Sequence, residues 1–209
     1  RMYDILNQFF KIMSEELNEF TDISPYTDAE AVEALGKLAD HPAVVEVSKA
    51  IFPDKEPEFL RKILKSVKSI DEFQILVMNK AVEWVLSTTA HNFSYDGIGN
   101  LKKINGKFLA MSNHRDIILD PAITQVVLYR NAIPMTEIAV GSNLLTNKYI
   151  EYLIRSNRMI KVIRGINARQ LYLSSQVLSK YIRECITSGR SSIWIAQREG
   201  RAKDGIDTT

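Results

Sequence analysis

Four short apolar runs constrain the second half of this chain more than any other feature. They are "KFLAMS" (107–112), "TEIAV" (136–140), "MIKVIR" (159–164) and "SSIWIAQ" (191–197). Runs of this length read as buried strands. Between them lie "PAITQVVLYR", with Pro121 in its first turn, "NKYIEYLIRSN", and "ARQLYLSSQVLSKYIRECITSG", closed by Gly189. These three carry helical spacing. Strand–helix alternation predicts an α/β fold with a mostly parallel sheet flanked by helices. In such sheets ligands bind beyond the carboxyl ends of the strands.

The first half has a different rhythm. Residues 1–100 read as helix after helix, which predicts an all-helical N-terminal region ahead of an α/β domain over 101–209. Thr27 with Glu30 forms a capping-box pattern, and Ser69 with Glu72 forms a second. The helix between Thr27 and Pro42 should stop before the proline. The stripe Phe9, Phe10, Met13, Leu17 and Phe20 is read as core rather than as a lipid-facing surface. The chain stops in the polar stretch "KDGIDTT", with neither cap nor strand, so the natural protein is expected to continue and the α/β domain to be truncated at its C-terminus.

Composition excludes several classes. A net charge of +2 over 209 residues does not argue for nucleic acid. One cysteine, Cys185, rules out an intrachain disulfide and fits a reducing, cytoplasmic setting; it is read as a small buried hydrophobe. No apolar run approaches the roughly 20 residues of a membrane span, so membrane contact is expected to be peripheral. No pair of His or Cys stands at metal-ligand spacing, and no glycine-rich nucleotide loop occurs.

The polar residues that carry chemistry follow the strands. After the first come Asn113, His114, Arg115, Asp116 and Asp120; after the third, Arg164; after the fourth, Arg198, Glu199, Gly200, Arg201 and Lys203. His114 is the only histidine of the second half, and imidazole moves protons near neutral pH once a carboxylate fixes its tautomer. His41 and His91 sit at helix ends and are read as structural or surface residues. Arg164, Arg198, Arg201 and Lys203 suit an anion such as phosphate.

These clusters, in this order, resemble the glycerolipid acyltransferase superfamily, which includes the glycerol-3-phosphate and lysophosphatidate acyltransferases. The family's first motif is Asn or Ser, then His, four residues and Asp. Here "SNHRDIILDPA" supplies Asn113 and His114 but places five residues before Asp120. The "DPA" looks like the plastid enzymes and makes Asp120 the first choice for the orienting carboxylate, with Asp116 the fallback. "RMIKVIRG" resembles the second motif without its glycine and puts Arg164 at the arginine. "QREGRAKDG" fits the third, with Glu199, Gly200 and Arg201. The fourth motif, a hydrophobic strand with prolines, is expected further on than this sequence runs.

The resemblance implies an O-acyltransferase with no cofactor. His114 would act as base, and acyl-CoA or acyl-carrier protein would be the acyl donor. The acceptor would be glycerol-3-phosphate or lysophosphatidate, and Asn113, Arg164, Glu199, Gly200, Arg201 and Lys203 would form the substrate site. Two rival expectations stay open: a lyso-aminolipid acceptor, and a non-catalytic lipid- or phosphate-binding module.

Overall fold

A computed structural model describes residues 19–197. The first half is helical: α1 (Asp28–Ala39), α2 (Ala43–Ile51) and α3 (Phe59–Ser66), then α4 (Ile70–Phe73), which runs through a π-helical turn (Gln74–Met78) into α5 (Asn79–Thr89), and the short α6 (Ile98–Leu101). Thr27 forms the expected box with Glu30, and α1 ends at Ala39, short of Pro42. The second box is only half made. Ser69 accepts from the Glu72 N–H, but the Glu72 carboxylate turns back one residue further and accepts from the Lys68 N–H at 2.8 Å. Leu35, Leu60, Leu64, Val67, Phe73 and Val77 close a core among these helices.

The second half alternates β1 (Leu109–Ser112), α7 (Leu119–Arg130), β2 (Glu137–Gly141), α8 (Lys148–Ser156), β3 (Met159–Val162), α9 (Ala168–Thr187) and β4 (Ile193–Ala196). The four strands form an all-parallel sheet in the order β1-β4-β2-β3, so the fold is α/β as the alternation requires. The crossovers β1→β2 and β2→β3 advance in one direction, and β3→β4 returns. Right-handed connections therefore put α7 and α8 on one face and α9 on the other. The packing agrees: Ile160 and Ile193 point toward Tyr181 and Cys185 of α9, while Ile138, Val140 and Met159 point toward α7 and α8. Cys185 is fully buried in that core, and burial raises its thiol pKa. Phe20, the one described residue of the apolar stripe, is also core and meets Tyr181 edge to face; the stripe's other members lie outside the described residues.

One expectation is corrected. "KFLAMS" reads as a buried strand, yet Leu109 is 40% and Met111 58% exposed. β1 lies at the sheet edge, and α9 covers the strands beyond it, so one face of β1 meets solvent. The opposite edge is blunted: the Lys161 N–H of β3 donates to the Ile23 carbonyl, occupying a position another strand would otherwise take.

The helical half packs on the α7/α8 face. Gln74 donates to Asn157, Arg158 reaches Gln74 and Asp71, and Arg130 pairs with Glu83. No helix among the described residues is long and apolar enough to cross a membrane.

Candidate active site

β1 ends at Ser112, and the chain then makes a non-helical turn before α7 begins. Two carboxylates build that turn. Asp116 Oδ1 accepts from the N–H groups of Ile118 (2.8 Å) and Leu119 (2.7 Å), satisfying donors that a helix start leaves unpaired. Asp120, in the first turn of α7, accepts through Oδ2 from the N–H groups of Arg115 (2.7 Å) and Asp116 (3.0 Å). The same oxygen lies 3.0 Å from His114 Nδ1. The residue in excess of the four-residue spacing is taken up by the turn, which wraps around a single carboxylate oxygen. The structure thus brings His114 together with Asp120 and commits Asp116 to the backbone of the helix start.

A carboxylate can only accept, so Nδ1 carries the proton and donates it to Asp120. Nε2 is left as the basic nitrogen. The His114 and Asp120 side chains are 16% and 23% exposed, shielded but reachable. Asn113 beside them is exposed, and its carbonyl accepts from the Ser112 hydroxyl.

Arg164 follows β3 at the far edge of the sheet. Three strand spacings of ~4.8 Å put its strand roughly 14 Å from that of His114. Its N–H donates to Ser142 Oγ at 2.9 Å, and its side-chain stem lies against Gly141 at the end of β2. A Cβ on Gly141 would meet the carboxamide oxygen of Asn143, the end of a side chain that could turn aside. β4, the strand leading toward Arg198, Glu199, Gly200, Arg201 and Lys203, lies between β1 and β2; those five residues are outside the described ones. His41 Nδ1 accepts from the Ala43 N–H at the start of α2 and its ring meets Tyr149 of α8 edge to face, and His91 is exposed. Among the described residues no group of three His, Cys, Asp or Glu could hold a metal ion.

The turn that carries His114 also supplies Ile117, Ile118 and Pro121 to the wall of a cavity of about 320 Å³. The cavity runs between the sheet face, α7, α8 and the helical half, which contributes Gln74, Met78, Asn79 and Val82. Its lining has no charged side chain; apart from the carboxamides of Gln74, Asn79, Gln125 and Asn157 it is apolar. Ile118, 73% exposed, stands at its mouth.

Two features escaped the sequence reading. Gly141, Ser142 and Asn143 were visible as a polar triplet after a strand, the same signal that singled out His114. The cavity wall from the helical half had no signal, because apolar residues at helical spacing read the same whether they fill a core or line a void. No protein-family model matches this sequence, and no curated protein matches it.

Proposed function

We propose that the chain is a glycerolipid O-acyltransferase, with His114 as general base and Asp120 as the group that orients it. The observation carrying this reading is the 3.0 Å His114–Asp120 pair at the carboxyl end of β1, on a turn that also walls an uncharged cavity. In the reaction, Nε2 of His114 takes the proton of the acceptor hydroxyl, and the freed oxygen attacks the thioester carbonyl. The tetrahedral intermediate expels the thiolate, which takes the proton from the imidazolium. Asp120 stabilises the imidazolium through Nδ1–H.

The cavity suits the acyl tail. A methylene fills a volume close to the ~30 Å³ of a water in the liquid, so about 320 Å³ holds roughly ten chain atoms. Arg164, with Arg201 and Lys203 further on, would hold the phosphate of glycerol-3-phosphate or lysophosphatidate. Glu199 would orient that acceptor, and the backbone at Gly200 would meet the oxyanion. The donor is the thioester of coenzyme A or of acyl-carrier protein. Exposed Ile117 and Ile118 at the cavity mouth fit peripheral contact with a lipid surface.

The test is thiol release from palmitoyl-CoA and palmitoyl-carrier protein, with each acceptor in turn, by wild type and His114→Ala. Acceptor-dependent release that the substitution abolishes supports the reading. Full activity in His114→Ala, or no release from either donor, rejects it.

A further inference from the structure

The apolar cavity has a mouth and a floor. Its mouth is at the carboxyl end of the sheet, where the turn that carries His114 places the exposed Ile118. Its lining reaches the amino end of the sheet at Ile138, the second residue of β2, and at Asn157, just ahead of β3. There Gln74, the first residue of the π-helical turn, donates to Asn157 Oδ1 at 3.1 Å. Gln74 is 1% exposed and Asn157 7%. The cavity therefore runs along the sheet face, from the neighbourhood of His114 to an end closed by two carboxamides.

Behind that end stands Arg158. It donates through Nε to Gln74 Oε1 at 2.8 Å and through Nη2 to Asp71. Arg158 also lines a second, polar cavity of about 330 Å³, together with Ile70, Glu137 and Arg155. Neighbours in sequence part between the two spaces: Ile138 from Glu137, Ile154 from Arg155, Asn157 from Arg158. At this end the apolar space is walled off from the polar one by the hydrogen-bonded side chains of Gln74, Asn157 and Arg158.

A chain growing into the cavity gains about fourfold in affinity with each methylene it buries. At the floor that gain stops. To go further, the chain must part Gln74 from Asn157 and Arg158, and leaving such buried groups unmatched costs roughly tenfold or more. The charged side chains of Arg158 and Glu137 lie beyond, and a methylene gains little against them.

We propose that Gln74 sets the length of acyl chain that the protein accepts, stopping it at roughly ten to twelve carbons, the number of chain atoms that about 320 Å³ can hold with the carboxyl carbon left at the mouth. This rests on the acyltransferase reading for the identity of the chain, and adds its length class. Gln74 acts as a specificity residue contributed by the helical half; it takes no part in the acyl transfer.

The test separates binding from turnover. Octanoic, decanoic, dodecanoic, tetradecanoic and hexadecanoic acids are titrated calorimetrically into the full chain, below their micelle-forming concentrations. Wild type is expected to gain affinity with length as far as dodecanoic acid and to gain none beyond it. Gln74→Ala and Gln74→Met both lose the carboxamide bonds, but only the alanine also empties the space. Gln74→Ala is expected to carry the gain on by about two carbons or more, and Gln74→Met to level where wild type does. Affinity that keeps rising to hexadecanoic acid in wild type overturns the proposal. So does the same levelling point in Gln74→Ala as in Gln74→Met, or the absence of binding by any of the acids. Thiol release from the matching CoA thioesters is read in parallel. A length limit in binding without release from any thioester rejects the acyl transfer and keeps the length limit; release without a length limit does the reverse.

Discussion

The two ends of the sheet handle a carboxylate in opposite ways. At the amino end, Glu137 opens β2, is 7% exposed, and has both oxygens engaged, accepting from Tyr181 Oη and Ser191 Oγ at 2.6 Å each. Arg190 lies over the Tyr181 ring. At the carboxyl end, Asp120 is shielded less, gathers three contacts on one oxygen, and holds an imidazole whose other nitrogen is left basic beside an uncharged cavity. The first carboxylate has each oxygen held by a hydroxyl. The second positions a partner and leaves it available. A buried carboxylate closed on both oxygens braces the fold, whereas one that spends a single oxygen on an imidazole holds that ring in place.

Substitutions at the two ends should separate activity from stability. The largest effect falls on turnover. His114→Ala is expected to lower kcat/KM for acyl transfer by about 10²- to 10⁴-fold, the usual worth of a positioned general base. Its urea midpoint should stay close to that of wild type. A stability loss matching that of the amino end would break the comparison.

Next comes Glu137→Ala, which strands two buried hydroxyls. It should cost roughly 3 kcal/mol in urea unfolding, with activity per folded molecule retained. Asp116→Ala should sit between the two regimes. It removes the helix-start acceptor, costs about 1 kcal/mol, and lowers activity only a few-fold. A loss in Asp116→Ala as deep as in Asp120→Asn would mean that the turn itself, rather than the His114–Asp120 pair, limits the reaction. Asn79→Leu is expected to raise unfolding stability by about 1 kcal/mol, since it removes a buried donor without a partner among the described residues.

The smallest effect concerns pH and belongs to the amino end alone. Burial, with the Glu137 carboxylate close by, pushes the Tyr181 phenol and the Cys185 thiol above their ordinary values. The unfolded chain therefore releases these protons first. Stability from both groups is complete below the unfolded pKa values and is lost as pH rises, starting near pH ~9 with the thiol. Urea unfolding at pH 7, 9 and 10 should show a falling midpoint, and Cys185→Ala should flatten its first part.

Local chemistry made much of this legible. Apolar runs and turn residues marked all four strands to within two residues at either end, and Thr27 with Glu30 marked α1. What escaped depends on neighbours distant in sequence. The spacing of Ser69 and Glu72 suits a box, yet Glu72 finds the Lys68 N–H instead. Leu109 and Met111 look like core because sequence says nothing of which strand becomes an edge. The choice between Asp116 and Asp120 turned on the path of a five-residue turn, where several lengths bring a carboxylate back to the same imidazole.

The π-helical turn at Gln74–Met78 has one more consequence. Its hydrogen bonds span five residues where an α-helix spans four, so it holds one residue more than a regular winding would. Five residues in such a turn wind about as far as four of an α-helix, so the extra residue is absorbed within it. Deleting a single codon inside the turn would restore regular winding and leave Asn79 and Val82 facing the cavity. The same deletion at Lys80 or Ala81 has no extra residue to remove, and would swing Val82 and every later residue of α5 by about 100°. The outline of the cavity is thus set in part by a length as well as by a composition. A frame-preserving deletion there would change what enters the cavity and leave the His114–Asp120 pair as it was.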